Sequence, residues 1–134
     1  MTTLLDEADF SVASFLLSVL GEGTFLSLLA FLERHGPDPV TRRIASLTAR
    51  DERRHVAFAM AHLSGVLHSA PERLVSLGAA LERRALALQH TAGLNSAVFD
   101  ALVLLASGET TPAGVAVGWQ RVQALQGEMD LGRQ

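Results

Sequence analysis

Apolar residues recur at helical spacing through most of the chain, and the breaks between runs carry turn and capping chemistry. From about Thr3 to Arg34 the chain is rich in Leu, Phe, Val and Ala. Gly36-Pro37-Asp38-Pro39 ends that run with a helix-stopping glycine, two prolines and an aspartate placed to cap the next helix. A second helix starting there extends to about Leu67, so residues 3–67 read as two long helices joined by a tight turn, an αα-hairpin. Ser69-Ala70-Pro71-Glu72 has the Ser-x-x-Glu form of a capping box and predicts a third helix from about Ala70 to Thr91, stopped at Gly93. Asn95 or Ser96 caps a shorter helix through Ala106, closed by Gly108. Thr111-Pro112 then opens a last helix to about Asp130, with Trp119, Val122 and Leu125 as its inner face. The three shorter helices together cover 70–130.

Composition agrees with that pattern. Hydrophobic residues make up 49% of the 134 residues, with Leu and Ala in excess over β-branched and aromatic types, which favours helix over sheet. A chain of this length can bury about two thirds of its unfolded surface in one core. The expectation is an all-α bundle forming a single domain, 1–134. Phe10 to Leu32 holds one charge, Glu22, and is long enough to cross a bilayer, but Ser11, Ser14, Ser18, Gly21, Gly23, Thr24 and Ser27 dilute it and no Arg precedes it. A buried bundle helix is the expected reading.

Charge and residue usage exclude several functions. Net charge is −3 and the 11 basic residues, all Arg, are scattered, so no footprint for nucleic acid or an anionic membrane exists. The exclusive use of Arg reads as bacterial genome composition rather than mechanism. Without Cys the chain has no disulfides, zinc-thiolate sites or iron–sulfur clusters, and without Tyr it has no tyrosyl radical of its own. The acidic start, Met1 to Glu7, lacks the basic and apolar regions of a signal peptide, and a cytoplasmic location is expected.

Glu22 raises the chemical question. An uncompensated carboxylate in an apolar interior costs several kcal/mol, so it must be neutral, paired or bound to a cation. Glu22 and Glu52 stand equal numbers of residues to either side of Pro37, which puts both about 22 Å from the turn of an antiparallel hairpin. His55 follows Glu52 by one helical turn on the same face. Two carboxylates and an imidazole at one level repel unless a divalent cation lies between them, and Glu22, Glu52 and His55 are therefore the expected metal ligands. The alternative is an ordinary surface Glu52–His55 pair, with Glu22 bridged to an Arg.

At 100° per residue Thr48, Glu52, His55, Ala59 and His62 share an arc of about 80°, while Arg53 and Arg54 point elsewhere. His62 reads either as a cavity-lining residue or as a hydrogen-bonded core histidine. Asp51, at the border of the stripe, either orients a histidine or is solvated. His35 belongs to the turn, His68 ends the second helix, and Glu33 beside Arg34 reads as solvated. The Arg pairs 42/43, 53/54 and 83/84 read as solvent-exposed faces.

A Glu on one helix followed about 30 residues later by Glu-x-x-His, here within Asp51-Glu52-Arg53-Arg54-His55-Val56-Ala57-Phe58, resembles the ferritin-like superfamily of rubrerythrins, ribonucleotide reductase small subunits and arylamine N-oxygenases. The resemblance covers about Asp9 to Leu67. It implies a ferritin-like four-helix bundle with a dinuclear iron centre, or a manganese one, in which Glu22 is a terminal or bridging ligand, Glu52 a bridging carboxylate and His55 a terminal nitrogen ligand. That is half of the family's ligand set. None of Glu72, Glu82, Glu109, Glu128 and Asp130 has a His three positions later, and His90 has no Glu at 87. A homodimer related by a twofold axis would supply the other half, as would a missing segment of a longer chain.

The resemblance implies an oxidoreductase that activates dioxygen to oxidise a small-molecule substrate or Fe(II). The alternative is a non-enzymatic scaffold or interaction module with a degenerate metal site. Substrate identity is not encoded in these residues.

Overall fold

Local capping chemistry sets most helix boundaries in the computed structural model, which describes residues 9–89 and 94–131 apart from the side chains of 20, 22, 24, 83–89 and 131. Asp9 caps α1 (Phe10–Ser14) by accepting the backbone N–H groups of Ser11 at 2.9 Å and Val12 at 3.3 Å. The chain continues without a break through a π-helical segment (Phe15–Glu22) into α2 (Gly23–His35). The expected start of this helix at Thr3 lies outside the described residues.

The π-helical segment is a correction to the expected uniform α-helix. The Gly23 N–H reaches back to the Ser18 carbonyl, five residues rather than four. A Cβ added at Gly21 would touch the Leu16 carbonyl oxygen at 3.4 Å, so glycine leaves this wider turn uncrowded.

Asp38 caps α3 (Pro39–Ser69), accepting from the N–H groups of Val40 at 2.8 Å and Thr41 at 2.9 Å and from the Thr41 hydroxyl at 2.6 Å. The hydroxyl bond leads the effects that hold the Asp38 carboxyl below its ordinary range. The turn packs tightly: a Cβ on Gly36 would lie 2.6 Å from the Leu32 carbonyl oxygen, and the Arg42 Nε–H donates to the Gly36 carbonyl at 2.7 Å.

Ser69 does not form the expected capping box. Its hydroxyl donates to the carbonyls of Gly65 at 3.0 Å and Val66 at 3.1 Å, which adds the residue to the last turn of α3. Residues 70–72 become a turn closed by bonds from Arg73 N to Ala70 O and Leu74 N to Pro71 O, and α4 (Arg73–Gln89) starts later than Ala70. The expected stop at Thr91 and Gly93 lies outside the described residues.

The last two helices follow their caps. Asn95 accepts the Val98 N–H at 2.9 Å to open α5 (Ser96–Ser107), and Gly108 ends it at φ 73°. The Thr111 hydroxyl accepts the Gly114 N–H at 3.1 Å at the start of α6 (Pro112–Leu131). The described residues therefore form six α-helical segments and one π-helical segment, with α3 much the longest.

Contacts gather into two compact units. One takes residues 9–23 and 52–89, and its core joins Val12 and Leu16 to Leu63 of α3 and to Leu77 and Ala80 of α4. Asp9 and Arg73 form an ion pair in this unit. Burial pushes the Asp9 carboxyl upward, but the Val12 and Ser11 N–H groups and the Arg73 charge outweigh it and hold it below its ordinary range.

The other unit takes residues 24–51 and 94–131, with a core of Phe31, Leu102, Val103, Ala106, Val122, Leu125 and Met129. Within it α5 and α6 pack as a close antiparallel pair. A Cβ on Gly118 would lie 2.3 Å from the Val103 carbonyl oxygen, so the two backbones approach as only glycine permits. The inner stripe of α6 is Gly114, Gly118, Val122, Leu125 and Met129. Trp119, expected inside, is 47% exposed and meets Phe99 edge-on at 4.8 Å. Among the described residues no helix is long and apolar enough to cross a membrane.

Candidate metal site and basic cleft

Residues Ala45, Ala49, Glu52, Val56, Ala59 and Leu63 recur at alternating steps of four and three along α3, the spacing that keeps one helix face inward. Ala45, Ala49, Ala59 and Leu63 are buried. Glu52 sits in the middle of this stripe with its side chain only 23% exposed, where an apolar residue would satisfy the pattern better. His55 lies at the edge of the stripe, 57% exposed, and its Nδ1 is 3.1 Å from Glu52 Oε2. A carboxylate oxygen can only accept, so the proton of this bond belongs to Nδ1, and the neutral ring carries its lone pair on Nε2. Carboxylate-oriented histidines of this kind are common metal ligands.

Glu22 closes the π-helical segment, a helix type often found at functional sites, and its side chain lies outside the described residues. Eleven residues earlier in the chain, a contact joins α1 to α3. Ser11 Oγ and His62 Nε2 are 3.2 Å apart, and these two residues stand almost equally far in sequence from Pro37.

Of the two residues expected around the ligands, His62 is half-buried and fully occupied by packing. Besides Ser11, it meets Phe10 edge-on at 5.2 Å and stacks on Phe58 at 6.4 Å. Asp51 is 56% exposed, with one carboxylate oxygen 4.0 Å from the Arg50 guanidinium.

Oxygen and nitrogen donors suit iron or manganese. Their number falls short among the described residues, where no group of three or more His, Asp or Glu side chains gathers closely enough to hold an ion. Glu52 and His55 alone do not fit a dinuclear centre.

A second feature went unread in the sequence. Arg34, His35, Gly36, Pro37 and Arg42 from the α2–α3 turn line an open cleft of about 460 Å³ with Leu104, Ser107, Glu109 and Arg121 of the α5–α6 hairpin. From the sequence, Arg42 belongs to a solvent-exposed pair and His35 to the turn, and nothing singles out Arg121, because only tertiary packing brings it to the turn. His35 stacks on Phe31 at 4.7 Å. Burial first, and then the charges of Arg121, Arg34 and Arg42, hold its pKa below the ordinary histidine value.

Comparison with known proteins adds no identity, since no family model, curated protein or solved structure matches the chain.

Proposed function

We propose that this chain is a ferritin-like metal-binding protein in which Glu22, Glu52 and His55 form a half-site for iron, completed by a second copy of the chain. The observation that carries this reading is the placement of Glu52. A carboxylate interrupts an otherwise alanine-lined inward stripe and is clasped by a histidine one turn away, an arrangement that weakens the apolar core unless the charge is used. The π-helical turn ending at Glu22 supports the same reading.

Completion by a second copy is supported by the apolar surface of the same unit. Phe10 and Phe58, 63% and 62% exposed, flank His62 close in sequence to His55, and Met60 is half exposed. A dinuclear iron centre held by two such half-sites would supply dioxygen activation. This chain's own residues would bind and orient the metal, and the oxidation of a small substrate is the activity that follows from the resemblance.

The second reading, a helical interaction module with a degenerate site, is favoured by the exposure of His55 and by the two-residue size of the described ligand cluster. Anaerobic loading with Fe(II), metal analysis and sedimentation decide between them. The expected result is about two irons per dimer, lost in Glu22→Ala, Glu52→Ala and His55→Ala. A monomer that takes up no iron and keeps its thermal stability when Fe(II) is added establishes the second reading.

A further inference from the structure

The cleft between the α2–α3 turn and the α5–α6 hairpin gathers more positive than negative charge, with Asp38 offsetting part of the charge of Arg42. Arg34, Arg42 and Arg121 all border it, and among the described residues none of the three forms an ion pair. Two of them are held in place by backbone. The Arg42 Nε–H is anchored on the Gly36 carbonyl at 2.7 Å, and an Arg121 guanidinium N–H donates to the Ala106 carbonyl at 2.6 Å. Each anchor uses one of five guanidinium donors and fixes the stem, so the remaining donors are positioned in advance. Arg34 makes no hydrogen bond among the described residues.

The electrostatic state of His35 reports the same field. Burial first, and then the charges of Arg121, Arg34 and Arg42, disfavour its protonation. One acidic side chain, Glu109, lines the cleft, and it accepts the Thr111 hydroxyl proton at 2.8 Å. A smaller adjoining cavity of about 120 Å³, bordered by Arg34, His35, Arg121 and Glu128, continues the surface.

We propose that this cleft is an anion site that takes a phosphate dianion, as the free ion or as the head of a small phosphomonoester, held by Arg34, Arg42 and Arg121. Three fixed or adjacent guanidinium groups match the three acceptor oxygens of a phosphoryl group better than the two of a carboxylate. Pro37, Leu104 and Leu105 supply an apolar wall for the organic part of an ester. The site shares no residue with Glu22, Glu52 and His55, and its test is independent of any metal.

Calorimetric titration of the full chain with inorganic phosphate, at fixed pH and at ionic strength balanced with chloride, tests the proposal. Saturable one-to-one binding is expected. Arg34→Gln should weaken it about tenfold, the loss of one charge-assisted contact. Because Arg34 has no structural bond among the described residues, this variant should keep its circular dichroism and melting temperature. Arg53→Gln, at an exposed position of α3 that is not among the residues lining the cleft, should bind like the parent. Glycerol phosphate in place of the ion separates the two sources: tighter binding assigns the apolar wall to an ester, and equal binding makes the ion itself the ligand. Absence of saturable binding up to about 10 mM, or equal losses in Arg34→Gln and Arg53→Gln, overturns the proposal.

Discussion

Ser11 Oγ lies 3.2 Å from His62 Nε2 and ties the first turn of α1 to α3, far along the chain. Ser11 is buried, at 4% exposure, so its hydroxyl has little access to water and depends on this partner. Ser11→Ala leaves the imidazole nitrogen unsatisfied and should destabilise the protein by about 1–2 kcal/mol. Chemical denaturation measures this directly. A midpoint equal to that of the parent would show that the bond contributes nothing to stability.

Two sets of glycines should respond to alanine in opposite directions. At Gly118 the new methyl meets the Val103 carbonyl oxygen at 2.3 Å, an obstruction of backbone that cannot rotate away. Gly118→Ala should destabilise by about 2–3 kcal/mol through separation of α5 and α6. Gly65 and Gly127 lie within helices with nothing near the added methyl, and alanine there should stabilise by about 0.5–1 kcal/mol through helix propensity. Thermal melts of the three variants check both signs.

His35 gives the protein a pH dependence of definite sign. Its folded pKa lies below the ordinary value of 6.5, first through burial and then through Arg121, Arg34 and Arg42. The unfolded chain therefore binds the proton more readily, and stability rises with pH across the window between the folded value and 6.5. Stability is fully present above 6.5 and falls as acidification carries the pH down towards the folded value. Replacement by Gln should flatten this part of the curve. Urea titrations at a series of pH values that show equal slopes for parent and variant would remove His35 as the cause.

Helix boundaries set by local hydrogen bonding were legible in the sequence. Asp38, Asn95 and Thr111 act through bonds to backbone within a few residues and Gly108 through its left-handed φ, so residue type and spacing identify them. Ser69 misled because its hydroxyl has two uses, and the preceding carbonyls of α3 won over the amides that follow. Trp119 misled for a different reason. The stripe of α6 that faces the core runs through Gly114 and Gly118, which add no hydrophobicity, and the close backbone contact leaves no room there for an indole. Within the candidate site, the three-residue spacing of Glu52 and His55 puts them on one helix face, and their contact is also what the alternative, an ordinary i,i+3 pair, gives. The convergence of Arg121 on the α2–α3 turn depends on packing between distant segments and leaves no periodic trace.

The position of Glu52 separates stability from binding. Its neighbours on the inward stripe of α3 are Ala45, Ala49, Ala59 and Leu63, so leucine would complete the pattern that glutamate breaks. In the metal-free protein Glu52→Leu removes a half-buried carboxylate and should stabilise by about 1 kcal/mol. His55→Leu acts at a more exposed position and should change stability by less than about 0.5 kcal/mol. Both substitutions should eliminate iron uptake, so Glu52→Leu would melt higher while binding less. Melting curves and iron content measured on the same preparations test the pairing. A Glu52→Leu protein that melts lower than the parent without metal would mean that the carboxylate is a structural partner of His55, and the argument for a retained metal ligand would lose its physical basis.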